Sequence, residues 1–320
     1  MNDKTALVLG ATGGIGSEMV RQLVAAGWRV RALHRHPPVS AGPVHWVAGD
    51  AMHREAVLAA ARGCSVIVHA VNPAGYRGWG RLVLPMLENT VAAATAQAAT
   101  VILPGTLYNF GPDSFAQLRE NSPQRPHSRK GAIRVRMEQR LADATGQGVR
   151  VIIVRAGDFF GPSAGNNWFS QGLVKPGRQV SRVNVPGVVG HQWAYIPDVA
   201  CTMMALLARR ERLVPFAVYH MAGHWDADGQ QMAQAIVRRV TWRGVRAPLV
   251  KRFPWWLVCL AAPFVETFRE LWEMRYLWRE PVRMGNERLL AELGAEPHTP
   301  LDEAIETTLL GLGCFPAEAP

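Results

Sequence analysis

A glycine turn close to the N-terminus constrains this chain more than any other feature. Gly10, Gly13 and Gly16 fall in the pattern G-x-x-G-x-x-G, within the run Gly10-Ala-Thr-Gly-Gly-Ile-Gly16. Residues 6–9 ahead of it (Ala-Leu-Val-Leu) form a short apolar run of the kind a buried parallel strand requires. Residues 17–26 behind it place Met19, Val20, Leu23 and Val24 at helical spacing, and Gly27 predicts the helix stop before a second strand. The first glycine allows a tight reversal, the second lets a pyrophosphate approach the backbone, and the third lets the helix pack on the strand. The helix start adds free N–H groups and the positive end of its dipole. Thr12, Gly14 and Ile15 share the turn and join the glycines as candidate dinucleotide contacts.

The end of the second strand selects the cofactor. A carboxylate there would bind the ribose 2′-hydroxyl of NAD, whereas an arginine suits the 2′-phosphate of NADP. The chain reads Leu33-His34-Arg35-His36, without a carboxylate. A guanidinium grips a phosphate through two parallel hydrogen bonds, so NADP(H) is favoured over NAD(H). A solvated Arg35, with NAD bound loosely, is the alternative.

Residues 44–48, 66–71, 100–103 and 149–154 read as further strands, separated by helical stretches at 53–61, 82–98 and 128–144. This alternation predicts an α/β fold with a doubly wound parallel sheet. Ligands in such sheets sit outside the carboxyl ends of the strands. Asp50 and Ala51, and the turn Ala70-Val71-Asn72, are therefore cofactor candidates by position. Asp50 has an equal claim as the N-cap of the next helix. Beyond residue 163 the composition turns to Gly, Asn, Ser and Pro. We expect residues 1–162 to bind the dinucleotide and 163–320 to form mostly a substrate lobe, with about 193–220 returning to the sheet. Within that half, helices are expected over 199–209, 226–238, 287–293 and 301–310, and a strand over 216–220.

At 320 residues, 48% hydrophobic and 19% charged, the chain can bury a large core. Cys64, Cys201, Cys259 and Cys314 are far apart with no C-x-x-C pair, which argues against zinc or disulfides and for a reducing, cytoplasmic setting. A strand begins almost at the N-terminus, so no signal peptide is expected ahead of it. The net charge of +10 is spread along the chain and reads as solvated surface plus the needs of a phosphate-bearing cofactor, not as a nucleic-acid face. The most apolar run, residues 253–265, is too short for a bilayer span of ~20 residues and holds two prolines. The favoured reading is a helix packed over the substrate lobe. Membrane-surface contact through its tryptophans, with Lys251 and Arg252 beside them, is the lesser one.

Taken with Gly49-Asp50, Arg155-Ala-Gly-Asp-Phe-Phe-Gly161-Pro162 and Tyr195-Ile-Pro-Asp198-Val-Ala200, the glycine turn makes the chain resemble the extended short-chain dehydrogenase/reductase superfamily, the NAD(P)-dependent epimerases, dehydratases and reductases. The resemblance covers nearly the whole chain. It implies a Rossmann-type parallel sheet of about seven strands, cofactor across its carboxyl edge (with Phe159 among its neighbours), a C-terminal lobe for a small-molecule substrate, and a possible homodimer.

The catalytic positions depart from that pattern. The family uses a Tyr-x-x-x-Lys pair on a helix, but the matching segment here is Lys130-Gly-Ala-Ile-Arg134, followed by Glu138. The family's Ser/Thr position after the fifth strand is Pro104, and Thr106 is the nearest hydroxyl. Three readings stay open. Lys130 could be the proton donor, as well as a cofactor contact, with Arg134 holding the ribose. Tyr108 could supply the phenol, with Thr106 orienting a carbonyl. Or the site could hold a dinucleotide without hydride chemistry, as a sensor or scaffold. The first two make the chain an NADP-dependent carbonyl reductase or epimerase-like enzyme with an atypical site. Other polar residues carry less. His191, His220 and His224 lack a metal-ligand spacing. Asp158 is a substrate contact or a turn cap. Asn166, Asn167 and Trp168 lie on the substrate side, and Asp198 reads as the cap of its helix.

Overall fold

The computed structural model describes residues 4–39, 42–73, 78–115, 117–163, 165 and 167–315. Asn166 lies outside them. The elements run β1 (Thr5–Leu9), α1 (Gly14–Ala25), β2 (Arg29–His34), β3 (Val44–Ala48), α2 (Arg54–Ala61), β4 (Val66–His69), α3 (Trp79–Gln97), β5 (Thr100–Thr106), α4 (Arg129–Thr145) and β6 (Arg150–Ala156). The second half adds β7 (Asp158–Phe160), β8 (Arg182–Val185), β9 (His191–Tyr195), α5 (Ile196–Ala208), β10 (Phe216–His220), β11 (His224–Asp226), α6 (Gln231–Trp242), β12 (Leu249–Arg252), α7 (Trp255–Ala261), α8 (Glu266–Glu273), α9 (Glu287–Leu293) and α10 (Leu301–Gly311).

The central sheet has seven strands in the order β10-β6-β5-β4-β1-β2-β3, all paired in parallel. It is a Rossmann-type doubly wound sheet. Its inner strands β1, β4, β5 and β6 are largely apolar on both faces because both are covered, while β3 at the edge is part-exposed. Along β1, Ala6 and Val8 face a core closed by Met19 and Leu23 of α1 and Met203 and Leu206 of α5. Leu7 and Leu9 face the opposite core, closed by Val57 of α2, Leu87 of α3 and Leu141 of α4. Gly27 adopts φ +75°, the left-handed geometry a glycine stop supplies after α1.

Some boundaries differ from expectation for identifiable reasons. β5 extends through Pro104 to Thr106, paired with β6 to Ala156. Its pairing with β4 ends at Ile102, so Pro104 lies where one strand side has no partner and its missing N–H costs nothing. Asp226 lies in β11, not in a helix. Its carboxylate accepts from the backbone N–H groups of Gln231 and Met232, each at 3.0 Å, and so caps α6. Asp198 does not cap α5. It accepts from the N–H and hydroxyl of Thr299, both at 2.8 Å, and ties the C-terminal segment to the sheet. The run 253–265 forms α7 only over Trp255–Ala261 and packs in part: Phe253 and Trp255 lie against the lobe's core, and Val258 is the one buried residue of α7.

Candidate functional site

The turn after β1 opens into a cleft of about 520 Å³ across the carboxyl ends of β1, β2 and β4. Gly10, Thr12, Gly13, Gly14 and Ile15 line it. Gly10 has φ +85°, and a Cβ there would lie 2.5 Å from the carbonyl oxygen of Ala70. Gly16 does not line the cleft. It lies behind the turn, where a Cβ would collide with the carbonyl oxygen of Gly10. α1 therefore starts directly at the cleft. Its N-cap is Gly13, without a capping side chain or an acidic first-turn residue among the described residues. The first N–H groups of a helix have no partner inside it, so those of Gly14 and Ile15 are available to an anion. This cradle fits a pyrophosphate.

Arg35 is exposed and lines the same cleft. Asp50, Ala51, Ala70, Val71, Asn72 and Phe159 line it too. Asp50 accepts from the N–H of Met52 at 2.9 Å and so also braces the turn before α2. The N-cap of α2 itself is His53. Asn72 accepts from the indole of Trp79 at 2.6 Å.

His69, at the end of β4, was not anticipated. Its Nδ1 lies 2.8 Å from the hydroxyl of Thr90. That hydroxyl donates to the Met86 carbonyl at 3.1 Å, so its oxygen accepts from His69 and the ring carries its proton on Nδ1. Burial, reinforced by the Arg134 cation, pushes the ring from 6.5 down to about 3. The folded value lies below the unfolded one, so the stability of the neutral ring is present above about pH 6.5 and is lost as pH falls toward 3. By about pH 5 the loss is ~2 kcal/mol. Urea midpoints should show a shallower acid slope for His69→Gln than for the parent chain.

Next to the cleft is a smaller cavity of about 70 Å³ that shares Asn72, Trp79, Arg134 and Phe159 with it. Thr106, Tyr108, Asp158 and Trp168 complete its wall. Thr106 accepts from the backbone N–H of Tyr108 at 3.4 Å and caps the short turn that carries it. The Tyr108 hydroxyl donates to Asp158 Oδ1 at 3.2 Å, and Asp158 Oδ2 lies 2.9 Å from His191 Nε2. His191 Nδ1 faces the carbonyl of Leu277 at 3.3 Å, and the ring stacks on Trp278 at 3.7 Å. Both ring nitrogens thus face oxygen atoms. Tyr108, Asp158 and His191 are buried, and this chain of polar groups ends at the cavity. Of the three, only Tyr108 is a catalytic candidate from the sequence; Asp158 reads as a substrate contact or turn cap, and His191 carries no motif. Their connection was hidden, because β7 and β9 pair only in three dimensions.

The structure does not bring Lys130 to either cavity. Its ammonium is buried 2.7 Å from Glu270 of α8 and donates to the Glu270 carbonyl at 3.1 Å. Burial lowers its pKa, against the opposing pull of Glu270. α8 has no signature in the sequence, and it is α8 that takes up this lysine. Arg134, one turn on, does reach the site. It lines both cavities, donates to the Pro104 carbonyl at 3.2 Å and lies over the Trp79 ring. The other histidines serve elsewhere. His220 sits 3.0 Å from Arg155 and the His224 ring lies 4.4 Å from that of His298. No cluster able to hold a metal occurs among the described residues.

The same architecture recurs in solved enzymes. A UDP-glucose 4-epimerase from Brucella ovis with NAD superposes with a TM-score of 0.75 at 16% identity, over 97% of this chain and 98% of the other. MoeE5 with UDP-glucose and NAD gives 0.71 at 18% identity, over 96% and 98%. A UDP-glucose 4-epimerase from Bifidobacterium longum with NAD+ and UDP gives 0.71 at 14%, over 97% and 100%. No curated protein sequence matches significantly. A family model does match residues 6–222, and by that match the chain is an NAD(P)-dependent enzyme of the NAD-dependent epimerase/dehydratase family.

Proposed function

We propose that this chain is an NADP(H)-dependent oxidoreductase, a carbonyl reductase or epimerase-like enzyme, in which Tyr108 moves the substrate proton. The turn from Gly10 to Gly16 and the α1 N–H groups hold the pyrophosphate, Arg35 holds the 2′-phosphate, and Arg134 binds on the nicotinamide side. His69 Nε2 is a buried acceptor with no partner among the described residues, available to a ribose hydroxyl. The cofactor supplies hydride chemistry when bound. The chain supplies the proton path. A substrate hydroxyl in the smaller cavity donates to the Tyr108 oxygen as the Tyr108 proton passes to Asp158, and reduction of a carbonyl runs the path backwards. His191 holds Asp158 in place. The observation that carries this reading is the hydrogen-bonded line from His191 through Asp158 to Tyr108, ending in a cavity that shares walls with the dinucleotide cleft.

The substrate lobe is assigned mostly to residues 163–320, with about 193–220 returning to the sheet, and a sugar nucleotide, as bound in MoeE5, is the first compound to test. Tyr108→Phe should keep NADPH affinity and lose about 10²–10⁴-fold in turnover, while Lys130→Met keeps turnover. Arg35→Ala should weaken NADPH about 10- to 100-fold and leave NADH unchanged. Full turnover in Tyr108→Phe would end the assignment. Tight NADPH binding with no turnover on any hydroxyl or carbonyl compound would favour a non-catalytic sensor, a reading supported by the ion-paired Lys130 at the family's tyrosine position.

A further inference from the structure

α7 and α8 pack against each other, and together they invert the usual surface pattern. The acidic side chains of α8 are used inward. Glu266 accepts from the Gly78 N–H at 3.2 Å, Glu270 pairs with Lys130 at 2.7 Å, and Glu273 accepts from the Arg129 N–H at 2.5 Å. Trp255, Val258 and Leu271 pack inward, while a second set of apolar side chains points outward. Trp256 is 64% exposed, Leu260 65%, Phe264 87% and Phe268 37%, with Leu257 and Val265 also exposed. An apolar patch of this kind on a monomer marks an interaction site.

The charge around the patch selects the partner. Lys251 and Arg252, which lead into the patch, are exposed, as is Arg269 next to Phe268. The α8 carboxylates that a second copy could set against these cations are engaged within the chain. A surface of negative charge over an apolar layer matches both features. Aromatic rings at the headgroup level and basic side chains on anionic lipid are the physics of interfacial helices. No helix among the described residues is long and apolar enough to cross a membrane, so the contact is one of lying on a surface. Trp168, a wall of the substrate cavity, also walls a small cavity with Phe253 and Leu271 behind this face.

We infer that the α7–α8 face docks the protein on anionic lipid bilayers, with Trp256, Leu260, Phe264 and Phe268 inserted and Lys251, Arg252 and Arg269 on the headgroups. The test is co-sedimentation of the full chain with vesicles of phosphatidylcholine and phosphatidylglycerol in equal parts, against phosphatidylcholine alone. The chain should pellet with the anionic vesicles, and high salt should release it. At about 1 kcal/mol per basic residue, Lys251→Ala/Arg252→Ala should lower the partition roughly 30-fold. Leu260→Glu/Phe264→Glu should abolish it. Both variants alter exposed residues outside the cleft, so NADPH affinity and melting temperature should match the parent and separate this result from any failure of the enzyme reading. Equal partition onto both vesicle types, or none onto either, would overturn the inference. So would a dimeric mass by light scattering that Leu260→Glu/Phe264→Glu reduces to a monomer, since a second copy would then cover the face.

Discussion

Gly16→Ala should weaken nicotinamide-dinucleotide binding more than a hundredfold, although residue 16 does not line the cleft. The methyl group would collide with the carbonyl oxygen of Gly10, and that oxygen holds the turn by accepting from the Gly13 N–H at 2.9 Å. Backbone is on both sides of the clash, so no rotamer change relieves it. Either α1 slides away from β1 or the turn opens, and both remove the N–H groups of Gly14 and Ile15 from the pyrophosphate. Two charge-assisted hydrogen bonds at about 1.5 kcal/mol each come to ~3 kcal/mol, more than a hundredfold in Kd. Gly10→Ala reaches the same end differently, through φ +85° and contact with Ala70. Gly13→Ala separates turn geometry from ligand approach. Its Cβ would lie 3.3 Å from the Gly10 oxygen, so the fold survives while the pyrophosphate is held off. Fluorescence titration with NADPH and NADH beside thermal melts would check all three. Parental affinity in Gly16→Ala would remove the turn from the binding site.

The sheet was legible because each buried strand declares itself locally. Residues 44–48 and 216–220 fall on the observed strands β3 and β10, the two edges of the sheet, where short runs of Val and aromatic residues mark a strand even at the part-exposed β3. The cofactor cleft was legible for the same reason, as its lining comes from the first residues after those strands. Long-range pairing was not legible. Tyr108 stands out as a catalytic candidate, Asp158 and His191 carry less, and nothing in their spacing says that β7 lies beside β9. Lys130 was misleading. Its position in the helix matched a catalytic motif, while its partner, Glu270, lies 140 residues away on a helix without a sequence signal. The apolar run 253–265 reads as a helix packed over the substrate lobe, and hydrophobicity alone does not tell how much of such a helix stays exposed.

Glu138→Ala should be the most damaging single change to stability outside the glycine turn. Glu138 and Arg155 form a paired contact at 3.1 and 2.5 Å with both side chains almost wholly buried. The remaining guanidinium contacts are neutral: His220 Nε2 at 3.0 Å, the Glu120 carbonyl at 3.4 Å and the Phe110 ring. His220 cannot substitute for the carboxylate. Burial, with the Arg155 cation next to it, pushes its ring from 6.5 down to about 3, so it is held neutral as an acceptor. Removing Glu138 leaves a buried cation without a counter-charge, at about 3–5 kcal/mol, a large share of a typical 5–15 kcal/mol for folding. The damage spreads because this pair clamps α4 to β6, and Gln124 bridges Glu138 at 3.3 Å to Asn109, next to Tyr108. Replacing both partners with apolar side chains, Glu138→Leu with Arg155→Met, removes the stranded charge and should recover most of the loss. A double-mutant cycle on urea midpoints therefore separates two explanations. Strong coupling identifies the stranded charge as the cause, and additive losses identify the lost packing of α4 on β6.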